Sequence, residues 1–178
     1  MSNIIIRSAV TKDAESILKI YSHYVKNTAI SFEYDAPTLE EFKGRIAHTL
    51  EKYPYLVAEQ DGKIIGYAYG SQFHPRAAYQ WCAEVSIYVD ANTRKCGVGR
   101  ILYEALEEAL NNQGILNLYA CIAYTDNEDE YLNNNSAQFH AHLGYEQIGR
   151  FHKCGYKFNR WYDMIWMEKI IGEHRTTS

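Results

Sequence analysis

Between Glu84 and Leu110 the hydrophobic pattern changes period once, and the change divides the chain's central segment into two elements. Val85, Ile87 and Val89 alternate with Glu84, Ser86 and Tyr88, which predicts a half-buried strand with one polar face. Farther on, Ile101, Leu102, Ala105, Leu106, Ala109 and Leu110 recur at three- and four-residue spacing, the stripe of a helix packed on a sheet. The same two periods organise the rest. Ile4 to Ser8 reads as a first strand, and a helix beginning at Asp13 puts Ala14, Ile17, Leu18, Tyr21, Tyr24 and Val25 on one face. Thr38-Leu39-Glu40-Glu41 is a capping box opening a second helix, with Phe42, Ile46 and Leu50 in line. Tyr55 to Glu59 and Lys63 to Phe73 flank Asp61-Gly62, a hairpin signal. Ile115 to Ala123 is a strand, Ser136 to Leu143 a short helix ended by Gly144, and Tyr145 to Arg150 and Trp161 to Lys169 the last two strands. The predicted order is β-α-α-β-β-β-α-β-α-β-β, an α/β layer structure with a mixed, mostly antiparallel sheet flanked by helices.

Composition narrows the class. A chain of 178 residues, 47% hydrophobic and 22% charged, suits a single domain over residues 1–172, with residues 173–178 as a frayed tail. Eighteen basic against 22 acidic residues leave a net charge of −4, which disfavours a nucleic-acid partner. No apolar run is long enough to span a membrane and no leader pattern opens the chain, so a soluble, cytoplasmic protein is expected. Cys82, Cys96, Cys121 and Cys154 are widely spaced, without the pairing that zinc or redox motifs need, and read as reduced thiols with no metal. The 16 tyrosines suggest either an aromatic-lined pocket or interface, or simply core packing.

The candidate chemistry lies where the period changes. In Arg94-Lys95-Cys96-Gly97-Val98-Gly99-Arg100 two glycines allow a tight turn, and backbone N–H groups, a helix N-terminus and three cations converge as a pyrophosphate requires. A nucleotide P-loop is excluded because no Gly-x-x-x-x-Gly-Lys-Ser/Thr is present, and a dinucleotide fingerprint because Leu102 stands where its third glycine would be. The remaining Arg-x-x-Gly-x-Gly resembles the coenzyme A loop of the GNAT N-acetyltransferases, whose element order the whole chain matches. His74-Pro75-Arg76-Ala77-Ala78-Tyr79, Glu84-Val85-Ser86-Ile87-Tyr88-Val89, Leu143-Gly144-Tyr145 and the stretch from Gly155 to Asp163 (GYKFNRWYD) resemble the phosphinothricin and methionine-sulfoximine N-acetyltransferase branch.

The resemblance implies the GNAT (acyl-CoA N-acyltransferase) fold, acetyl-CoA as co-substrate, no metal, a small amino-acid-like amine as acceptor and direct transfer in a ternary complex. Glu84 matches the branch's catalytic glutamate. To serve as base for an amine it needs a pKa raised by partial burial, the alternative being a salt-bridged strand-edge carboxylate. His140 falls at the position of the family's acid, with Ser136 on the same helix face and a structural role for the ring as the alternative. Backbone groups of Ile87, Tyr88 and Val89 would face the pantetheine arm and the tetrahedral intermediate. Lys95, Cys96, Gly97, Val98, Gly99 and Arg100 would hold the pyrophosphate. Family spacing selects Asn133 for the pantetheine arm, with Asn135 in reserve because Asp126 to Leu132 looks like an insertion; its acidic residues are expected to be a solvated loop. Arg76 would clamp an acceptor carboxylate, and His74 stands where relatives usually carry arginine, which would alter acceptor choice. Phe32, Tyr34 and Tyr79 could wall the pocket, Lys157 and Asp163 could shape its rim or a dimer contact, and the family is commonly dimeric. Two competing readings are a GNAT enzyme for another amine (an aminoglycoside, a polyamine or a peptide N-terminus) and a non-catalytic acyl-CoA-binding module.

Overall fold

The computed structural model describes residues 3–93 and 97–176, so Arg94, Lys95 and Cys96 lie outside the described residues. Strand β1 (Ile4–Ser8) leads through a 3-10 turn at Thr11–Asp13 into α1 (Ala14–Asn27) and α2 (Leu39–Leu50). Strands β2 (Tyr55–Gln60), β3 (Lys63–Gln72) and β4 (Cys82–Val89) follow, then α3 (Val98–Asn112), β5 (Asn117–Tyr124), α4 (Asn135–His142), β6 (Glu146–Lys157) and β7 (Arg160–Ile170). This is the predicted order. The capping box forms as the sequence implies, with Glu41 N–H on Thr38 Oγ1 and Thr38 N–H on the Glu41 carboxylate, 3.2 and 2.7 Å. Asp61 and Gly62 turn with φ of 50° and 75°, the two positive values that a tight hairpin requires.

All seven strands form one sheet, in the order β1-β2-β3-β4-β5-β7-β6, antiparallel everywhere except between β4 and β5. Helix α3 covers one face, burying Leu102, Leu106 and Leu110 against β2 to β5. Its buried stripe runs through Val98, Leu102, Tyr103, Leu106 and Leu110, while Ile101 is 39% exposed. The predicted stripe was therefore rotated by about one residue, because Tyr103 turns inward and Ile101 outward. Helices α1 and α2 cover the other face through Ile17, Val25, Phe42 and Ile46. Under them Tyr55, Tyr67, Tyr69 and Tyr88 stack across β2, β3 and β4, with Tyr55 and Tyr69 ring centroids 4.8 Å apart and Tyr67 and Tyr88 5.4 Å apart. This part of the tyrosine excess is core.

Three expectations are corrected in the second half. Strand β6 continues past Arg150 to Lys157, since register shifts between Phe151 and Gly155 break the alternation that would have announced it. Of the insertion's acidic residues, Glu128 and Glu130 are exposed as expected and so is Asp126, but Asp129 is half-buried, and Asp126, Asp129 and Glu130 pair with Arg150 and Arg160 of the β6–β7 hairpin instead of standing free. Lys157 and Asp163 are buried structural groups rather than rim residues: Lys157 Nζ donates to the carbonyls of Val25 and Ser31, both at 2.7 Å, and Asp163 accepts from Arg150 and from Lys153 N–H. Burial pulls the Lys157 ammonium pKa down and leaves those carbonyls as its compensation. Gly155 has no side chain because the ring of Phe32 occupies its place; a Cβ there would stand 2.5 Å from the ring's Cζ. The tail is held at its start, where His174 Nε2 meets Asn117 Oδ1 at 2.6 Å.

Candidate active site

The parallel ladder between β4 and β5 is short. Cys82, Ala83 and Glu84 pair with Asn117, Leu118 and Tyr119, and there the pairing ends although both strands continue. Beyond that point the strands diverge around a cleft lined by Val85 to Tyr88 on one side and Ala120 to Ala123 on the other. Strand edges in such a gap carry N–H and C=O groups that an extended ligand can satisfy. Ile87 and Tyr88 line the cleft; Val89 lies at the end of the same strand.

Glu84 stands at the apex, on the last paired position. Strand alternation puts it on the face of Ser86 and Tyr88, away from α3. The residue is half-buried, and its carboxylate has no ion pair or hydrogen bond among the described residues. Burial alone raises its pKa, the direction a base for amines needs, and the salt-bridge alternative finds no partner. Cys121 is exposed as a residue, yet desolvation of its thiol within the cleft and, secondarily, the Glu84 charge push its pKa up to about 12, so it stays protonated at neutral pH and is a poor nucleophile.

His140 reaches the cleft from α4 but is 2% exposed, and both ring nitrogens are engaged. Nδ1 lies 2.7 Å from the Ser136 carbonyl, which can only accept, so the proton sits on Nδ1. Nε2 then accepts from the Tyr103 hydroxyl at 2.8 Å. Burial lowers the His140 pKa and keeps the ring neutral near pH 7. Tyr103, also on the cleft wall, is the residue sequence reasoning missed. An inward tyrosine within an apolar helical stripe looks like core, and only a buried partner 37 residues away reveals the hydroxyl's use.

The start of α3 suits an anion. Gly97 adopts φ 73°, a conformation glycine takes without strain, and no side chain caps the helix. Among the described residues Ile101 N–H is the first to bond back, to Gly97 O, and the N–H groups of Val98, Gly99 and Arg100 find no backbone acceptor there. Gly99 serves packing as well, since a Cβ would come within 3.0 Å of the Phe139 ring of α4. Arg100 is paired with Glu104 at 2.7 Å, but both are exposed and solvent screens such a pair, so a phosphate can displace the carboxylate. Lys95 and Cys96 belong to the segment outside the described residues. Of the three asparagines, Asn133 lines the cleft; Asn134 is bound through its amide to both backbone groups of Thr125, and Asn135 is exposed at the start of α4.

On the acceptor side, Phe73 stacks on Tyr119, the ladder partner of Glu84, with centroids 4.3 Å apart. His74 packs on Phe73 and Tyr79, at 4.3 and 5.0 Å, so the loop of Arg76 begins over the Glu84 end of the cleft. Arg76 is exposed and without an ion pair among the described residues. Phe32 rests on Gly155, and Tyr34 donates to Tyr156 O at 2.6 Å, so neither is placed on the cleft wall. No group of three or more metal-ligating side chains occurs among the described residues, and no helix among them is long and apolar enough to cross a membrane.

Comparison with known proteins agrees with this geometry. Residues 6–166 match the model of the acetyltransferase (GNAT) domain. The chain is 36% identical over 166 residues to the phosphinothricin N-acetyltransferase of Alcaligenes faecalis, covering 93% of this chain and 81% of that one. It is 32% identical over 173 residues to the L-methionine sulfoximine/L-methionine sulfone acetyltransferase of Pseudomonas paraeruginosa, covering 96% of each. The crystal structure of a GNAT superfamily phosphinothricin acetyltransferase from Sinorhizobium meliloti in complex with AcCoA superposes with a TM-score of 0.88 at 32% identity, covering 98% of this chain and 92% of that one. A cleft between parted strands, an uncapped helix N-terminus at its mouth and a half-buried carboxylate at its apex thus occur in a chain that belongs to the GNAT acetyltransferases, enzymes that take the acetyl group from acetyl-CoA.

Proposed function

We propose that this acetyltransferase modifies the amino group of a small amino-acid-like compound, of the phosphinothricin or methionine-sulfoximine type, by direct transfer in a ternary complex. The observation that carries the reading is the unpaired, half-buried Glu84 at the apex of the cleft. Its carboxylate takes the proton from the incoming ammonium, and the amine attacks the thioester carbonyl. Backbone N–H groups along Ile87 to Val89 face the developing oxyanion, and the N-terminus of α3 with Arg100 holds the pyrophosphate. As the C–S bond breaks, the thiolate takes the Tyr103 hydroxyl proton, which turns from His140 Nε2 toward the sulfur, and the tyrosine regains a proton from the amide nitrogen by way of solvent; His140 positions the hydroxyl oxygen. Tyr103→Phe and His140→Ala are each expected to lower kcat by about tenfold or more while the acetyl-CoA Kd stays within about threefold, as read by single-turnover kinetics and calorimetry.

Arg76 supplies the acceptor's anchor. A fork of donors on a carboxylate is worth about 1.5–3 kcal/mol, so Arg76→Ala is expected to raise the acceptor KM by roughly 10- to 100-fold and leave the acetyl-CoA KM unchanged. His74, packed between two aromatic rings, gives weaker help to a carboxylate than arginine would and so shifts acceptor preference. A polycationic acceptor is disfavoured because Asp126, Asp129 and Glu130 of the insertion already face arginines and Glu128 accepts from Asn134 N–H.

The net charge of −4 argues against a nucleic-acid partner, and the protein acts in the cytoplasm as a homodimer. Phe151, Tyr156 and Trp161 on the β6–β7 hairpin, each between 44% and 59% exposed, offer apolar surface for the second copy. Thiol release from acetyl-CoA across a panel of amino acids, phosphinothricin, methionine sulfoximine, polyamines and aminoglycosides tests the whole reading. Turnover confined to polycations would replace it, and no turnover with any amine would leave a binding module.

A further inference from the structure

Residues 125–134 connect the end of β5 to α4, closed at their ends by the Asn134 amide on Thr125 and by Glu128 on Asn134 N–H, with the Asp129 carboxylate at the centre. Asp129 Oδ1 accepts from Tyr131 N–H at 2.8 Å and Leu132 N–H at 2.9 Å. Oδ2 accepts from the Tyr162 hydroxyl at 2.9 Å and Arg160 at 2.8 Å, and Asp129 N–H returns to Leu132 O at 3.0 Å. The connection is thereby closed on itself and fastened to β7. Its consequences reach the cleft through two segments. Leu132, 2% exposed, and Asn133 line it directly. The Tyr131 carbonyl accepts from Ala29 N–H at 3.0 Å, which fixes the α1–α2 loop whose Ile30 packs on the Ala29–Leu132 cluster and lines the same cleft. Tyr131 also stacks on Phe158 at the hairpin tip, with centroids 4.0 Å apart and planes 9° from parallel.

We infer that Asp129 is a positioning residue for acyl transfer. It touches no reacting atom. By closing residues 125–134 into a strap it holds Leu132 and Asn133 in the cleft wall beside Ile30, so the two segments of that wall that receive the acyl donor share one anchor. The inference rests on the acetyltransferase activity and on no particular acceptor. Two of the contacts of Asp129, with the backbone amides and with Arg160, are separable by substitution. Asparagine keeps an acceptor for the Tyr131 and Leu132 amides but removes the charge facing Arg160; alanine removes both. Glu130, which holds Arg160 from the solvent side at 2.9 and 3.0 Å, tests the exposed half of the same pair alone.

Misplacing a substrate-positioning wall by about 1 Å can cost up to roughly a hundredfold, so Asp129→Ala is expected to raise the acetyl-CoA KM about tenfold and Asp129→Asn about threefold. Glu130→Gln is expected to leave it within about twofold, as an exposed pair should. Tm is measured beside each KM, because a merely structural role lowers Tm and leaves the KM of the folded enzyme where it was. A graded rise in KM, Ala above Asn above Gln, supports the inference. KM within about twofold of wild type for a folded Asp129→Ala overturns it. Should Asp129→Ala fail to fold, Asp129→Asn decides alone: a KM rise supports the inference and an unchanged KM overturns it.

Discussion

Replacing Glu84 by Gln is expected to lower kcat by about 10²- to 10⁴-fold and, at the same time, to make the protein more stable at pH 7. Both outcomes have one origin. Burial raises the Glu84 pKa and no cation or donor among the described residues offsets it. The folded state therefore binds this proton more tightly than the unfolded chain does. Below the ordinary carboxyl pKa of 4.5 both states are protonated and nothing is lost; as pH rises through the folded-state pKa, ionisation costs the fold increasing stability. Glutamine has nearly the same shape and never ionises, so the variant escapes that cost. Paired measurements check this: thermal unfolding at pH 7, and the acidic limb of kcat/KM, which should lie above 4.5 in the wild type and vanish in the variant. A variant that keeps more than about a tenth of wild-type kcat removes Glu84 from the mechanism. A fall in Tm would mean the carboxylate has a stabilising partner after all.

Lys157→Met is expected to lower stability by about 2–4 kcal/mol and Tm by roughly 5–15 °C. Methionine fills similar space and even relieves the desolvation of a buried ammonium, a gain that can make such swaps neutral when both partners of a pair are replaced. Here only one partner changes. The Val25 carbonyl in the last turn of α1 and the Ser31 carbonyl beyond it each lose a 2.7 Å charge-assisted bond and remain buried, at about 1–3 kcal/mol apiece. The loss outweighs the relief. It also frees the α1–α2 loop, whose Ile30 lines the acyl-donor cleft, so the acetyl-CoA KM should rise with the fall in stability. Urea unfolding with an unchanged slope and a ΔΔG below about 1 kcal/mol would show the two bonds to be dispensable.

How far this molecule could be read from its residues depended on how local each signal was. The element order was legible because strands and helices announce themselves by period, and Glu84 because alternation places it opposite the apolar face of β4. Strand β6 was read short because Phe151 to Gly155 interrupts its pairing, and because the turn after Lys157 places Phe158, not a residue that favours positive φ, at 53°. The strap's acidic residues looked solvated because their arginines lie 24 and 30 residues away in sequence. Tyr103 and His140 met the same obstacle. A polar group satisfied only by tertiary structure gives no local sign of its partner, and the Gly155–Asp163 signature acquires a physical meaning only once Phe32 is seen resting on Gly155 and Lys157 holding two carbonyls.

The parting of β4 and β5 after three residue pairs makes this nominally continuous sheet two panels, of four and three strands, hinged at Glu84 and Tyr119. A molecule lying in the seam bonds to the main chain of both panels and braces them against each other. Filling the cleft is thus also a mechanical event, and stiffness across the hinge becomes a physical record of whether the enzyme is loaded.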